Sequence, residues 1–522
     1  MGATPGTSPA DASTEGRLNQ SFTFRSAFAL AFADVSPIVA LYAIFGLGLF
    51  AAGPAFFWAF PVVLIGQLLV AGVFGELSSR WPFAGSVYQW ATHLRGSRWG
   101  WAAAWSYIWG LTVALATLAY AGGGFLLAVF GVDNPTRVQS VAVALALLVL
   151  GTVTNMIGRR LLKVMVAASI ICEIVGSVGL GTALLFYRVN PVHALFDGFG
   201  TQGGGSWLGG PFLIAMAYVG FSFVGFEAAG SIAEEVERPE RNVPKAIILS
   251  LLCVGLVVMY TSAALLLATP NLAQVVAGGS GDPVTATLTA HFGNAIVKPL
   301  LIMFVIGFVS SFLAVQAAVS RAVFGSARDG GLPGARLLAK LTGRERLPVN
   351  AIGLVALVAA VVLLLAGSQI YTVLVNMATV GFQIAFAVPV VGAALTRLRG
   401  DWVPGPFNLG RWGAPVTYIA SLWLVFETVN IVWPRPAQGV PWYVTWGMLL
   451  MTALLAAAGL VVFAVVRDRI AAPLAVRLAE QRGERTSAGS VSGGSASGGS
   501  VSGGSASGSA GGQVHLAPET SA

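Results

Sequence analysis

FADVSPI, at Phe32–Ile38, interrupts an apolar run that is otherwise long enough to cross a bilayer. Ser36 can cap a new helix, and Pro37 can take that helix's first position, where a missing N–H is no loss. The same proline disfavours the helical conformation of Ser36. The first apolar span therefore reads as two half-helices that meet around Asp34–Ser36. A second interruption, GFSFVGFE at Gly220–Glu227, sets two glycines around a small polar residue with a carboxylate just beyond. Glycine weakens a helix and lets another group approach its backbone. Irregular backbone at mid-membrane survives only where it is buried in protein or lines a cavity. Two interrupted helices at corresponding places in two related halves mark the binding site of a membrane carrier, against the plainer view that each kink serves packing alone.

Composition places these breaks in a membrane. Of the 522 residues, 56% are hydrophobic and only 10% charged, and the mean hydropathy is +0.79. A soluble domain carries about 25% charged residues. Twelve candidate spans lie near 26–50, 56–76, 84–130, 138–156, 161–187, 211–233, 245–268, 295–327, 349–366, 369–396, 415–433 and 443–466, the third and eighth long enough to include interfacial turns. An even number puts both termini on one side. With the N-terminus cytoplasmic, the outward loops hold only Arg137, Arg188, Lys298 and Arg435 of the 29 Lys and Arg. That asymmetry is the positive-inside pattern, so the formal charge of +8 is a topology signal and not a nucleic-acid footprint. The expected organisation is a disordered cytoplasmic tail over 1–20, a ten-helix core over 21–396, two further helices over 397–470 and a disordered tail over 471–522. The last contains GSVSGGSASG twice, at Gly489–Gly498 and Gly499–Gly508, a composition that makes a flexible chain. No signal peptide is expected at the N-terminus. Cys172 and Cys253 sit inside apolar runs and read as small buried hydrophobes.

Four blocks in order carry a resemblance: SPIVALYAIFGLGLFAAGP (Ser36–Pro54), GELSSRWPFAGSVYQWA (Gly75–Ala91), GFEAAGSIAEEVERPERNVPKAI (Gly225–Ile247) and SRAVFGSARDGGLP (Ser320–Pro333). Over about residues 22–470 the chain resembles the amino acid–polyamine–organocation (APC) permeases, particularly their amino acid/choline branch. The resemblance implies an all-α membrane protein of twelve transmembrane helices, an inverted five-plus-five repeat (the LeuT-like or APC fold) with two additional helices. It implies a permease for amino acids or related small amines in the inner, cytoplasmic membrane, with substrate held at the breaks of spans one and six and access alternating by rocking of helices. Ser36, Ile38 and the backbone of Val35–Val39 would meet the substrate's carboxylate and amine, with Ser222 and Val224 on the facing break. Phe221 matches an aromatic gate that is Trp in some relatives. Relatives coupled to protons often carry a lysine deep in span five; here Ser169 stands in that register and Lys163 lies nearer the cytoplasm.

An ionisable group at mid-bilayer costs about 2.5–3.5 kcal/mol or more, so each one needs a reason. Asp34 either pairs with a substrate ammonium or caps freed backbone N–H groups. Glu227 is either a proton-linked carboxylate or a strut between helices. For Glu173 and Glu427 a strut is the leading expectation. Glu76 and the Glu234, Glu235 and Glu237 group fall at the cytoplasmic edge, where a solvated or salt-bridged intracellular gate with nearby Arg is expected, not substrate chemistry. Ser310 and Ser311 are either packing residues or oxygen donors to Na+, and coupling to H+ or Na+ stays open. No cofactor, metal or nucleic acid is expected, and the oligomeric state is undetermined. His93, His193, His291 and His515 are scattered over loops and the tail, which argues against a metal-dependent enzyme. Isolated charges in spans apolar all round argue against the continuous polar stripe of a channel. Carriage of a non-amino-acid amine such as choline, GABA or a polyamine, or a sensor that keeps a carrier's fold, are the alternatives.

Overall fold

A computed structural model describes residues 23–470, except 84, 133, 202–204, 279–280, 344–345, 366–368 and 436–440. The tails expected over 1–20 and 471–522 lie outside the described residues.

The described chain is helical almost throughout. The first span begins with α1 (Phe24–Val35), capped by Thr23, stops at Ser36 (φ 51°, ψ 106°) and resumes as α2 (Pro37–Tyr42). Ser36 caps α2, its Oγ accepting from the Val39 N–H at 3.2 Å, and Pro37 takes the first position. A second, unexpected irregularity at Ala43–Ile44 separates α2 from α3 (Phe45–Ala52). The second span, α4 (Ala59–Arg80), is followed by α5 (Ser86–Arg95) and the third span, α6 (Ser97–Val129). These two helices are separated by Gly96 at φ 86°, one of the turns that the length of the third stretch led us to expect. A Thr136–Gln139 capping box opens α7 (Arg137–Ile157).

The fifth span changes pitch. It runs as α8 (Arg159–Glu173), widens into a π-helical turn over Ile174–Gly179 and closes as α9 (Leu180–Leu185). The sixth holds α10 (Leu213–Val219), a 3₁₀ turn at Gly220–Phe223, extended backbone at Val224 and α11 (Ala228–Ser231). Next come α12 (Pro239–Ala268), α13 (Leu272–Val276) and α14 (Pro283–Arg328). Asp282 caps α14, which breaks direction at Gly293 (φ 67°), so the eighth span starts earlier than its apolar run. Then follow α15 (Ala335–Leu338), α16 (Val349–Leu365), α17 (Ile370–Leu398), α18 (Gly413–Val432), α19 (Trp442–Thr445) and α20 (Gly447–Val466).

Eleven helical segments among the described residues are long and apolar enough to cross a membrane. The span expected over 349–366 forms the shorter apolar helix Val349–Leu365, of 17 residues. The chain is thus an all-helical, multi-pass membrane protein. Spans one and six pack against α4, α8, α12, α14 and α17, and α6 reaches span six through Tyr107. The buried rings of Phe74, Trp90, Phe226 and Phe386 interlock there, for example Phe74 edge-on to Phe386 at 5.1 Å. Leu150, Leu454, Leu460 and Val461 stay exposed on the outer helices, where hydrocarbon satisfies them at no cost.

Candidate functional site

The two breaks meet. Gly225 has φ 93°, a conformation that glycine adopts freely and other residues resist. A Cβ at that position would lie 2.9 Å from the Asp34 Oδ2, so Gly225 is also the residue over which the Asp34 carboxylate packs. Higher up, the Ser222 hydroxyl donates to the Ala40 carbonyl, tying the 3₁₀ turn of span six to α2. Phe221 and Val224 are buried beside it. The residues singled out in the two interruptions, Asp34, Val35, Ser36, Ile38 and Val39 on one side and Phe221, Ser222, Val224 and Glu227 on the other, therefore form one central cluster.

Three carboxylates converge on it. Glu227 is 1% exposed and receives the Tyr107 hydroxyl from α6 on Oε1 at 2.9 Å, while its Oε2 has no partner among the described residues. Asp34 comes from the last turn of α1. The third, Glu173, reaches in from the end of α8 and takes the Ser36 hydroxyl on Oε1 and the Ile38 N–H, at 2.8 Å, on Oε2. That bridge is the strut expected of Glu173, but it lands on the donors that the resemblance assigns to a substrate carboxylate. The π turn that follows Glu173 fits this role, since such turns recur at functional positions. Its Gly176 carbonyl accepts the Tyr42 hydroxyl at 2.6 Å. Span five is thus hydrogen-bonded to both ends of α2.

Tyr107 was not foreseen, and neither was the place of Glu173. Both lie in long apolar helices whose facing cannot be read without the neighbouring helix. Ser310 and Ser311 lie on α14 one turn beyond Gly307, which packs against Ile38; both are buried, and Ser311 Oγ has no partner among the described residues. Above the breaks, a cavity of about 900 Å³ opens past Tyr42, Tyr120, Phe125 and Tyr371 towards Asp282. At the opposite end, Glu76 forms a buried ion pair with Arg397, whose guanidinium stacks 4.0 Å over the Trp402 ring. This is the salt bridge expected of Glu76. Among the described residues no group of three or more His, Cys, Asp or Glu is arranged to hold a metal ion.

A profile of the amino acid permease family matches residues 22–457. The chain belongs to that family. The permease is 24% identical over 437 residues to an uncharacterised amino-acid permease of Schizosaccharomyces pombe, covering 79% of this chain and 77% of the relative. It is 24% identical over 465 residues to an amino-acid permease of Arabidopsis thaliana, covering 80% and 86%. It is 26% identical over 377 residues to the branched-chain amino acid permease of Lactococcus lactis, covering 68% and 77%. The permease is accordingly a transport protein and not an enzyme.

Proposed function

We propose that the permease is a secondary active transporter that moves amino acids or related small amines across the cytoplasmic membrane by alternating access. The observation that carries this reading is the meeting of two helix breaks at the centre of the bundle, with Asp34 packed over Gly225 and Ser222 bonded to Ala40. Substrate binds there, its amine at Asp34 and Glu227 and its apolar part against Val35, Ile38, Val39, Phe221 and Val224. Phe221 gates the site from the side of the large cavity, and Glu227 exchanges a proton. The fold is the twelve-helix one, with Val349–Leu365 as the ninth span, two inverted five-helix halves and α18 and α20 added. Both termini are cytoplasmic, as the distribution of Lys and Arg supports. Ser310 and Ser311 are the candidate donors to Na+, should sodium be the coupling ion.

One observation favours a second reading within this class. The hydroxyl and N–H at the start of α2 suit a carboxylate, and Glu173 already holds them. A substrate that is an amine without a carboxylate, such as choline or a polyamine, needs no competition with Glu173; GABA, which keeps a carboxylate, does. Counterflow in proteoliposomes tests both. Vesicles are preloaded with one unlabelled amino acid or amine and challenged with its labelled form. Accumulation of one substrate class, reduced by Asp34→Asn and by Phe221→Ala, is expected; no counterflow with any compound in folded protein would overturn the proposal.

A further inference from the structure

A second polar centre lies beside the sixth span, where side chains of α17 and α18 meet at Gly220. Glu427, in the second half of α18, is 0% exposed, and neither carboxylate oxygen has a hydrogen-bond partner among the described residues. Gln383 on α17 is also 0% exposed with both amide atoms unpartnered. The two side chains converge on Gly220, the residue where α10 passes into the 3₁₀ turn. A Cβ on Gly220 would lie 3.7 Å from Glu427 Oε2 and 3.8 Å from Gln383 Nε2.

An ionised carboxylate without hydrogen bonds in such a place is strongly disfavoured, and removal of its charge or capture of a cation relieves it. The charged and titratable surroundings are sparse. Arg435, beyond the end of α18, is near enough to attract Glu427 but donates its Nη2 to Asn430, at 2.9 Å to the carbonyl and 2.6 Å to Oδ1. On α10 the titratable group is Tyr218, on α18 itself Tyr418, and on α17 Tyr371 and Arg397. On α4 there are only Glu76 and Arg80, at its far end, and α20 has none. Glu427 and Gln383 offer too few oxygens for a metal cation, since hard cations take about six or more oxygen ligands. A proton needs only one.

We infer that Glu427 is a proton-binding site of the permease, separate from the substrate site and set against the hinge of span six at Gly220. The proton sits on a Glu427 oxygen, with the Gln383 amide beside it at Gly220. Any movement of span six about Gly220 changes the surroundings of that oxygen, so binding and release of the proton are linked to the movement. The site therefore couples a proton gradient to transport without touching substrate.

Two measurements test this, the first independent of any substrate. Infrared difference spectra of the protein in lipid, stepped in pH in H₂O and D₂O, resolve the carbonyl stretch of a protonated carboxyl. The expected result is a protonated-carboxyl band at neutral pH that is missing in Glu427→Gln and shifted but present in Glu427→Asp. A spectrum unchanged by Glu427→Gln would overturn the inference. So would loss of the band when K+ is replaced by Na+ at constant pH, which would make sodium the ligand. The second rests on the proposed function and uses the labelled amino acid or amine giving the strongest counterflow. With the membrane potential clamped at zero, one pH unit supports about tenfold accumulation for each proton coupled to substrate. Glu427→Gln is expected to remove one such tenfold factor while counterflow persists. Retention of full accumulation, or loss of both activities together, would overturn the role in coupling. If no compound gives counterflow in the wild type, the proposed function fails and the infrared result still decides the site.

Discussion

Removing the Glu173 side chain has a consequence that the geometry makes quantitative. Its carboxylate accepts from the Ser36 hydroxyl and the Ile38 N–H, and Ser36 is 0% exposed. Each buried donor left unpaired costs about 1–3 kcal/mol, so Glu173→Ala is expected to destabilise the protein by about 2–6 kcal/mol. Ser36 at φ 51° adds to the sensitivity, because a strained residue persists only while its surroundings over-determine it. Glu173→Gln keeps one acceptor and opposes the other donor with an N–H, which predicts about 1–3 kcal/mol. Reversible unfolding in mixed micelles, followed by helicity, measures these differences. Pairing Glu173→Ala with Ser36→Ala in a double-mutant cycle should return a coupling of about 1.5–3 kcal/mol, the range for a hydrogen bond to a charged group. The bridge would be refuted if Glu173→Ala stayed within about 0.5 kcal/mol of wild type or if the cycle showed no coupling.

Three further outcomes are expected. Gly225→Ala forces a Cβ into the left-handed region, at roughly 1–2 kcal/mol, and to 2.9 Å from Asp34 Oδ2; counterflow should be lost, and adding Asp34→Ala should restore part of the stability but not the transport. Tyr107→Phe leaves Glu227 Oε1 without its 2.9 Å donor and should destabilise by about 1–3 kcal/mol in the same unfolding assay. Arg397→Ala strands the buried Glu76 carboxylate and should cost about 3–5 kcal/mol. Arg397→Lys should recover only part of this, because the flat stacking on Trp402 needs a guanidinium.

The breaks were legible because their signals are local. Ser36–Pro37 and the Gly220–Gly225 spacing act on their own backbone, and the structure interrupts the helices at those residues. The interruption at Ala43–Ile44 has no Gly or Pro to announce it; what takes up the freed backbone is the Tyr371 hydroxyl, which donates to the Ala43 carbonyl from a helix more than 300 residues away. Glu173 was visible as a buried charge but not as a partner of Ser36, because the sequence of span five does not say which of its faces meets span one. The surroundings of Glu427 were hidden for the same reason. Its neighbours Gln383 and Gly220 lie on two other helices, and neither offers it a hydrogen bond among the described residues. The Glu76–Arg397 pair was easier, since charges at helix ends near a membrane surface seek each other. The split of the third stretch at Gly96 followed the same local logic, a glycine closing one helix before the next.

Ile38 sits between two bare patches of backbone. A methyl group at Gly176 would approach its Cδ1 to 3.1 Å, and one at Gly307 would approach its Cγ2 to 3.2 Å, from spans five and eight respectively. Helices that meet through side chains interlock as ridges in grooves and resist sliding past each other. Here the faces are smooth on both sides of a single branched side chain, which makes Ile38 a bearing between two rails. If α2 tilts as the proposed alternating access requires, Ile38 opposes the tilt little, and what resists it is the hydrogen bonds at the ends of α2 and the Tyr42–Phe304 stacking at 4.1 Å. Filling either glycine would turn the bearing into a latch.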